Sequence, residues 1–171
     1  YASNNSEKFL IVDGFDRIND YALPYHEFAM DFGMALRKYK YSFETCSNDA
    51  VIAGDVNLND YDAVFWNLGD ESTVDETFNS TEQTKVTNYL KQGGNLFVSG
   101  SEVGWDLDYK GGTSDKNFYN NFLKANYSAD DSEDYSVYGE TGTVFSGLSF
   151  GYDDGTHGIW NVQYPDVITI N

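Results

Sequence analysis

Short apolar runs that alternate with amphipathic patterns are the feature that most constrains the fold of this chain. Phe9–Asp13 is an unbroken apolar run that ends in Asp-Gly, as expected of a strand covered on both faces. Similar runs at 41–46, 61–68 and 95–99 predict three further strands. Because helical patterns lie between these runs, the sequence predicts an α/β domain with three layers, in which helices cover both faces of a mostly parallel central sheet.

Three stretches carry apolar side chains at spacings of three and four, which is typical of amphipathic helices. The first follows Pro24, a residue suited to the first turn of a helix. The second begins at a capping box predicted for Ser80 and Gln83 and ends at Gly93-Gly94, and the third spans 115–125. The residues expected to face the core are Phe28, Phe32, Ala35, Leu36 and Tyr39 in the first helix, Val86, Tyr89 and Leu90 in the second, and Phe118, Phe122 and Ala125 in the third.

The last part of the chain, residues 127–171, has no helical period and is rich in Gly and Asp. Short β-like pieces near 143–150 and 167–170 predict late strands and loops that complete the same domain. With 171 residues and no linker, the chain is expected to form one domain over 1–171. A first residue other than Met favours a piece excised from a larger secreted protein, although a choice of cloning boundary would look the same.

The composition limits the partners of this domain. Ten Lys and Arg residues against 28 Asp and Glu residues give a net charge of −18, which repels nucleic acid and anionic membrane surfaces. No apolar run approaches the roughly 20 residues that a membrane-spanning helix needs, so no membrane insertion is expected. Aromatic residues make up 17% of the chain, and its polar residues are mainly Asn, Ser, Thr, Asp and Gly. We therefore expect a monomer that is secreted and extracellular.

Candidate binding residues lie where the predicted strands end. In open parallel sheets, ligands bind beyond the carboxyl ends of the strands, at the switch in strand order. The segments expected there are 13–17, 66–71 and 100–106. The predicted ligand-binding residues are Asp13, Asp16, Arg17, Asn67, Glu71, Ser101, Glu102, Trp105 and Asp106. We expect Asp13, Glu71 and Glu102 to line a shallow cleft with Trp105 at its rim.

The string Gly100-Ser-Glu-Val-Gly104 has the outline of a strand-to-helix elbow, and it fits an ordinary turn equally well. Its middle residue, Glu102, is the candidate catalytic residue: it could be a general base, a calcium ligand or a hydrogen-bonding anchor, but it is a poor acyl-transfer nucleophile. His26 and His157 are expected to be solvated, and Cys46 to be an inert buried thiol. The sequence thus predicts no nucleophile triad.

No organic cofactor is expected, because the loop at 13–17 lacks the Gly-rich cradle that holds nucleotide phosphates. Calcium stays open as a ligand, since acidic clusters occur at 106–108, 130–134 and 153–154. None of them matches the twelve-residue calcium loop, which favours solvated loops. Trp66 is predicted to pack in the core, whereas Trp105 fits either the core or a platform on which a sugar ring stacks.

Several longer strings are recognisable together. They are Ile11-Val-Asp-Gly-Phe-Asp-Arg17, Trp66-Asn-Leu-Gly-Asp-Glu-Ser-Thr73, Asp75-Glu-Thr-Phe78, Gly94-Asn-Leu-Phe-Val-Ser-Gly-Ser-Glu-Val-Gly-Trp-Asp-Leu-Asp108 and Tyr164-Pro-Asp-Val-Ile168. The chain resembles a module of large secreted bacterial proteins that are often called xanthan lyases or N-acetylmuramoyl-L-alanine amidases. That module is similar to the class I glutamine amidotransferase-like superfamily, which has a flavodoxin-like fold. Its elbow carries a cysteine where this chain has Glu102, so the resemblance does not imply amidotransferase activity.

Three functions follow as hypotheses. The first is a non-catalytic accessory module that binds a glycan or a neighbouring domain within a secreted polysaccharide- or cell-wall-acting protein. The second is a hydrolase or lyase that uses Glu102 with Asp13 or Asp16, because carboxyl groups at strand ends can divide acid and base roles. The third is a structural or calcium-dependent adhesive domain.

Overall fold

A sheet of four parallel strands forms the centre of the fold. The structure, a computed structural model, describes residues 6–17, 28–151 and 164–171. The strand order in the sheet is β2-β1-β3-β4, which matches the flavodoxin-like doubly wound order and confirms the predicted parallel sheet. The strands are β1 (Phe9–Asp13), β2 (Phe43–Ser47), β3 (Ala63–Gly69) and β4 (Asn95–Gly100).

Helices lie on both faces of this sheet, so the three-layer α/β fold is confirmed. The first helix packs on one face, where Phe32 contacts Phe65 and Phe97. The other three contribute Val51, Val86 and Phe118 to the core on the opposite face. The helices are α1 (Phe28–Lys38), α2 (Asn48–Ala53), α3 (Ser80–Lys91) and α4 (Thr113–Phe118). Within the described ranges, no helix has the length and apolarity to cross a membrane.

Side chains alternate between the two layers along β1, as they must in a strand. Leu10 and Val12 join the core on the α3 side, and Ile11 is equally buried on the α1 side. The strand lies between β2 and β3, so both of its faces and both of its edges are covered. This explains why its sequence is an unbroken apolar run.

The predicted capping box at the start of α3 is wrong by one residue. Asn79, not Ser80, is the N-cap: its Oδ1 accepts hydrogen bonds from the backbone N–H groups of Thr81 (2.9 Å) and Glu82 (3.1 Å). The Glu82 carboxylate accepts the N–H of Asn79 at 2.7 Å in return. A capping box can be formed by Asn and Glu as well as by Ser and Gln. The sequence therefore offered two overlapping candidates, Asn79 with Glu82 and Ser80 with Gln83, and the structure has the first.

Replacing Asn79 with Ala is therefore expected to lower the free energy of unfolding by about 1 kcal/mol, the usual cost of losing an N-cap. Urea unfolding of the variant measures this difference. Ser80→Ala is the matched control and should change stability little, because Ser80 is exposed in the first turn. If Ser80→Ala lowered the free energy of unfolding more than Asn79→Ala did, the capping box predicted at Ser80 and Gln83 would be the correct one.

The predicted apolar stripe of α1 is only partly correct. Phe32 and Leu36 are half-buried, but Ala35 is exposed, and Tyr39 is 69% exposed because the helix ends at Lys38. Gly33 packs directly against the Phe43 ring of β2: a Cβ added at this position would lie 2.4 Å from the ring, which leaves no room for a side chain. Pro24 and the side chain of Phe28 lie outside the described residues.

Two helical boundaries also differ from the prediction. The short helix α2 is not among the three predicted helices, because its six residues are too few to show a period. The predicted helix at 115–125 ends earlier: a π-helical turn over Tyr119–Leu123 follows α4, and Lys124 has a φ of 62° that stops it. Ala125 is buried as predicted, but it begins a strand.

The C-terminal part forms two antiparallel strand pairs outside the central sheet. The strand β5 (Ala125–Ala129) pairs with β8 (Val167–Ile170), which was predicted at these residues. The strand β6 (Ser136–Tyr138) pairs with β7 (Ser149–Gly151). Only 149–150 of the piece predicted near 143–150 is therefore a strand.

Candidate functional site

The first and third strands lie side by side, and the chain leaves them in opposite directions. From β1 it passes through α1 to β2, and from β3 it passes through α3, on the other face, to β4. This is the switch in strand order beside which doubly wound sheets bind ligands. The loops that follow β1 and β3 meet here, where the Gly14 N–H donates to the Asn67 carbonyl at 2.8 Å.

Seven of the side chains at this switch form a group that we call the junction cluster. At its centre is Glu71, which is 1% exposed. Its Oε2 accepts the N–H of Asp16 at 2.5 Å, and its Oε1 has no partner among the described residues. The Asp16 carboxylate accepts a hydrogen bond from Asn48 Nδ2 at 2.7 Å, and that amide group also donates to Glu82 at 3.0 Å. The junction cluster consists of Asp13, Asp16, Arg17, Asn67, Asp70, Glu71 and Asp75.

The junction cluster contains five carboxyl groups and one basic side chain, that of Arg17. Arg17 lies 3.8 Å from Asp70 and 3.6 Å from Asp75, both longer than a normal charge-assisted hydrogen bond. Of the predicted binding residues, the structure thus brings Asp13, Asp16, Arg17, Asn67 and Glu71 to one edge. Asp70 and Asp75 were not among the predicted binding residues, although Asp70 directly follows β3 and lies within the predicted segment 66–71.

The pKa values of two carboxyl groups in this cluster, Glu71 and Asp16, are raised. Burial raises the pKa of Glu71 to about 8; the negative charges of Asp16 and Asp75 add to this, and the Asp16 N–H and Arg17 oppose it. Burial also raises the pKa of Glu82 to about 7 and shifts the pKa of Asp16 upward. At neutral pH this raised pKa favours the protonated form of Glu71.

The predicted elbow is a strand-to-helix turn without strained backbone. After β4 the chain bends at Ser101 and Glu102 and becomes helical from Val103. Glu102 is not among the residues with a positive φ, and its Oε2 accepts a hydrogen bond from Ser72 Oγ at 2.6 Å. Since a nucleophile elbow holds its central residue under strain, this geometry favours the ordinary turn, with Glu102 as a hydrogen-bonding anchor.

A residue that the sequence did not single out, Asp166, closes this turn. Its Oδ2 accepts the N–H groups of Gly104 (2.8 Å) and Trp105 (2.9 Å), and its own N–H donates to the Ser101 carbonyl at 3.1 Å. Burial raises the pKa of Asp166 to about 6, with the charge of Glu102 adding to this. Asp166 is 62 residues from Gly104 in the chain, so only its place in the string Tyr164-Pro-Asp-Val-Ile168 could have indicated it.

The loop between β3 and α3 connects the junction cluster to this turn. Ser72, next to Glu71, holds Glu102. Further along, the N–H and Oγ1 of Thr77 both donate to Asp106 Oδ2, at 2.8 and 2.7 Å. Glu102 and Asp106 thus fix the position of the loop, while the shallow cleft expected between Asp13, Glu71 and Glu102 stays a prediction.

Three aromatic rings stack beside the turn and form what we call the aromatic platform: Trp105, Tyr109 and Tyr127. The Trp105 and Tyr109 rings are 4.7 Å apart at 26°, and Tyr109 and Tyr127 are 5.3 Å apart. Tyr109 is 56% exposed, whereas Trp105 and Tyr127 are half-buried. Lys110 Nζ lies 4.7 Å from the centre of the Trp105 ring. Trp105 is therefore the supporting ring, and Tyr109 is the one that faces solvent.

The aromatic platform adjoins the carboxylates of the turn. The pKa of Tyr127 is raised by desolvation first, and then by the negative charges of Asp130, Asp166 and Glu102, so its phenol lies within their electrostatic reach. The sequence contained one sign of this arrangement, because Trp105 and Tyr109 are four residues apart in a helical segment. Trp66 belongs to the core as predicted, with none of its surface exposed.

Buried polar atoms without a partner are concentrated at the same edge. Among the described residues, seven buried side-chain atoms lack a hydrogen bond. They belong to the C-terminal half of β3, to the segments that follow β3 and β4, and to Asp166, which contacts the turn after β4. Such atoms are rare in proteins and call for an explanation at each place where they occur. They are Trp66 Nε1, Asn67 Nδ2, Asp70 Oδ1, Glu71 Oε1, Asp75 Oδ2, Ser101 Oγ and Asp166 Oδ1.

The remaining candidates are Cys46, the two histidines and the acidic clusters. Cys46 is half-buried against the core, and burial raises the pKa of its thiol to about 11, which agrees with an inert side chain. In the described ranges, no group of three or more His, Cys, Asp or Glu side chains is arranged to hold a metal ion. His26, His157 and the acidic pair 153–154 lie outside the described residues.

Comparison of the chain with protein-family models, with curated proteins and with solved structures finds no match. The resemblance to a module of secreted bacterial proteins therefore stays a prediction. The function proposed below is based on the geometry of the carboxyl edge of the sheet.

Proposed function

We propose that the carboxyl edge of the central sheet binds a carbohydrate and that the domain is a non-catalytic accessory module of a secreted polysaccharide- or cell-wall-acting protein. One juxtaposition carries this proposal. The solvent-facing Tyr109 ring, supported by Trp105, lies beyond the carboxyl ends of the strands, where six of the seven buried polar atoms without a partner also lie, the exception being Trp66 Nε1 in the core. The module acts as an extracellular monomer beside the catalytic domains of a longer chain.

The chemistry of this edge suits a sugar. A sugar ring stacks its C–H groups on an aromatic face, and its hydroxyl groups both donate and accept hydrogen bonds. The unpartnered atoms include a donor in Asn67, an acceptor in Asp166 and, in Glu71, an Oε1 that donates when the carboxyl group is protonated, and hydroxyl groups can satisfy each of them directly or through bridging water. With a net charge of −18, the protein favours a neutral sugar over a polyanion.

The carboxylates of the turn act as internal anchors, which supports binding without catalysis. Glu102 is bonded to Ser72, Asp106 to Thr77, and Asp166 to two backbone amides. An acyl-transfer enzyme offers such a pair of amides to the oxyanion of its substrate, but here Asp166 occupies them. An activated nucleophile has no counterpart among the described polar residues of this edge, whose side chains are carboxyls, hydroxyls, an amide and the Arg17 guanidinium.

The second candidate is a hydrolase or lyase that uses Glu102 with Asp13 or Asp16. One observation favours it: the pKa of Glu71 is raised to about 8 beside Asp16, and acid and base pairs depend on such shifted carboxyl groups. However, burial also raises the pKa of Asp16, so the two carboxyl groups shift in the same direction. Binding is therefore the better-supported function.

The proposal predicts that the aromatic platform determines retention on polysaccharides. In affinity electrophoresis through gels that contain a neutral β-glucan, a xylan or solubilised cell wall, at least one polymer is expected to slow the wild-type domain. Tyr109→Ala and Trp105→Ala should each weaken that retention by about three- to tenfold, as expected for a stacking contact.

Tyr39→Ala is the matched control, because Tyr39 is exposed and lies on the α1 side of the molecule, away from the platform. Its retention should equal that of the wild type. Retention that is unchanged in Tyr109→Ala, or that falls equally in Tyr39→Ala, would exclude the platform as the sugar-binding surface.

A further inference from the structure

The hairpin built from β6 and β7 exposes an unusual number of apolar side chains. We call residues 136–151 the apolar ribbon. Five of its large apolar side chains are about half exposed or more, and Glu140 is the single charged residue within it. They are Tyr138 (73%), Val144 (93%), Phe145 (51%), Leu148 (49%) and Phe150 (52%). None of them belongs to the proposed sugar site.

Within the described ranges, each strand of this ribbon is paired along one edge only. Among the described residues, β6 and β7 form a ladder only with each other, so each has a second edge without a strand partner. Val137 and Phe150 are paired across the ladder and share one face, while Tyr138 and Ser149 share the other. Proteins usually protect such edges with Lys, Pro or a bulge, and the ribbon contains neither Lys nor Pro.

The charge around the ribbon restricts what can pair with it. Residues 125–171 contain no Lys or Arg but eight Asp and Glu residues. Four of these, Asp130, Asp131, Glu133 and Asp134, immediately precede β6. A second copy of the chain that paired through its own ribbon would bring like charge to the contact, whereas a basic partner would gain from electrostatic complementarity.

We infer that the apolar ribbon docks an extended basic segment of another polypeptide. The segment adds a strand to an open edge of the ribbon, places alternate apolar side chains beside Phe150, and brings its Lys or Arg residues to the acidic residues before β6. Backbone pairing supplies affinity in this mode, and the alternation of apolar and basic residues supplies specificity. This interaction surface is separate from the proposed sugar site and does not depend on it.

Synthetic peptides test this inference on the intact 171-residue chain. The probe is a capped peptide that alternates lysine and valine, and its affinity is measured by fluorescence anisotropy at physiological salt, with backbone-amide NMR to locate the contact. It is expected to bind at least about tenfold more tightly than a lysine and serine peptide and a glutamate and valine peptide, because it alone combines both features. Its amide shifts should be concentrated in 136–151.

Phe150→Ser should weaken binding of the lysine and valine peptide by about tenfold, because it removes exposed apolar surface from the ribbon. Val74→Ser is the matched control, since Val74 is 80% exposed in the loop after β3 and lies outside the ribbon. Equal affinity for the lysine and serine peptide, amide shifts outside the ribbon, or an unchanged affinity in Phe150→Ser would overturn the inference. So would sedimentation that shows the wild-type chain to be a dimer and Phe150→Ser to be a monomer.

Discussion

Replacing Trp66 with Ala is expected to lower the free energy of unfolding by about 3–5 kcal/mol, which is a large part of the stability of a typical domain. None of the Trp66 surface is exposed, and its ring packs 5.1 Å from Phe78, which in turn contacts Phe118 of α4. The substitution leaves a cavity between the sheet and two helices. Urea unfolding followed by circular dichroism measures the loss.

Trp105→Ala is the natural comparison, because Trp105 is half-buried in the aromatic platform. Its removal is expected to cost roughly 1 kcal/mol, the scale of one aromatic pair. Trp66 lies within β3 and Trp105 follows the neighbouring strand β4, so this difference tests the distinction between core and surface directly. Equal losses in the two variants would contradict it.

Acidification from about pH 8.5 to pH 5 is expected to stabilise the folded protein, which is the reverse of the usual behaviour of buried ion pairs. The pKa values of Glu71, Glu82 and Asp166 are raised to about 8, 7 and 6, in each case by burial first. At pH values between the ordinary carboxyl pKa and these raised values, the three groups are protonated in the folded state but ionised in the unfolded chain. The free energy of unfolding therefore rises as the pH falls through the folded pKa values, and this gain is lost as the pH rises again.

Glu71→Gln isolates the largest of these contributions. At about pH 8.5 the variant should be more stable than the wild type by at least about 1 kcal/mol, or roughly 2–4 °C in melting temperature, because the amide is neutral and can still accept the Asp16 N–H. The advantage should shrink toward pH 5, where Glu71 is protonated. Glu140→Gln, at an exposed position, is the control and should show no such pH dependence. A Glu71→Gln variant that is less stable at every pH would show that Glu71 is held as a stabilising anion.

The central sheet could be predicted because its signals are local. The run at Phe9–Asp13 is apolar throughout since β1 is covered on both faces and both edges, and the polar residues at its end follow from the parallel arrangement. The carboxyl edge of the sheet could be predicted for the same reason, so Asp16, Arg17 and Glu71 were found together.

The contacts that complete the site could not be predicted, because they join distant parts of the chain. Asp166 reaches the Gly104 amide across 62 residues, and no local pattern marks it. Tyr127 joins Trp105 and Tyr109 only after the chain has turned through α4 into β5. The exposed ring is Tyr109 rather than Trp105 because the helical segment turns Trp105 toward its neighbours, and sequence alone does not give that rotation.

The most direct test of sugar binding without catalysis is a titration of the wild-type domain with a neutral oligosaccharide from the polymer that retains it, followed by backbone-amide NMR and by chromatography of the recovered sugar. The proposal predicts chemical-shift changes concentrated at Trp105–Lys110, Tyr127 and the turn at 101–104, with the oligosaccharide recovered intact. Cleavage of the oligosaccharide that disappears in Glu102→Gln would contradict the proposal and establish the carboxylate enzyme, and shift changes confined to other surfaces would contradict the site.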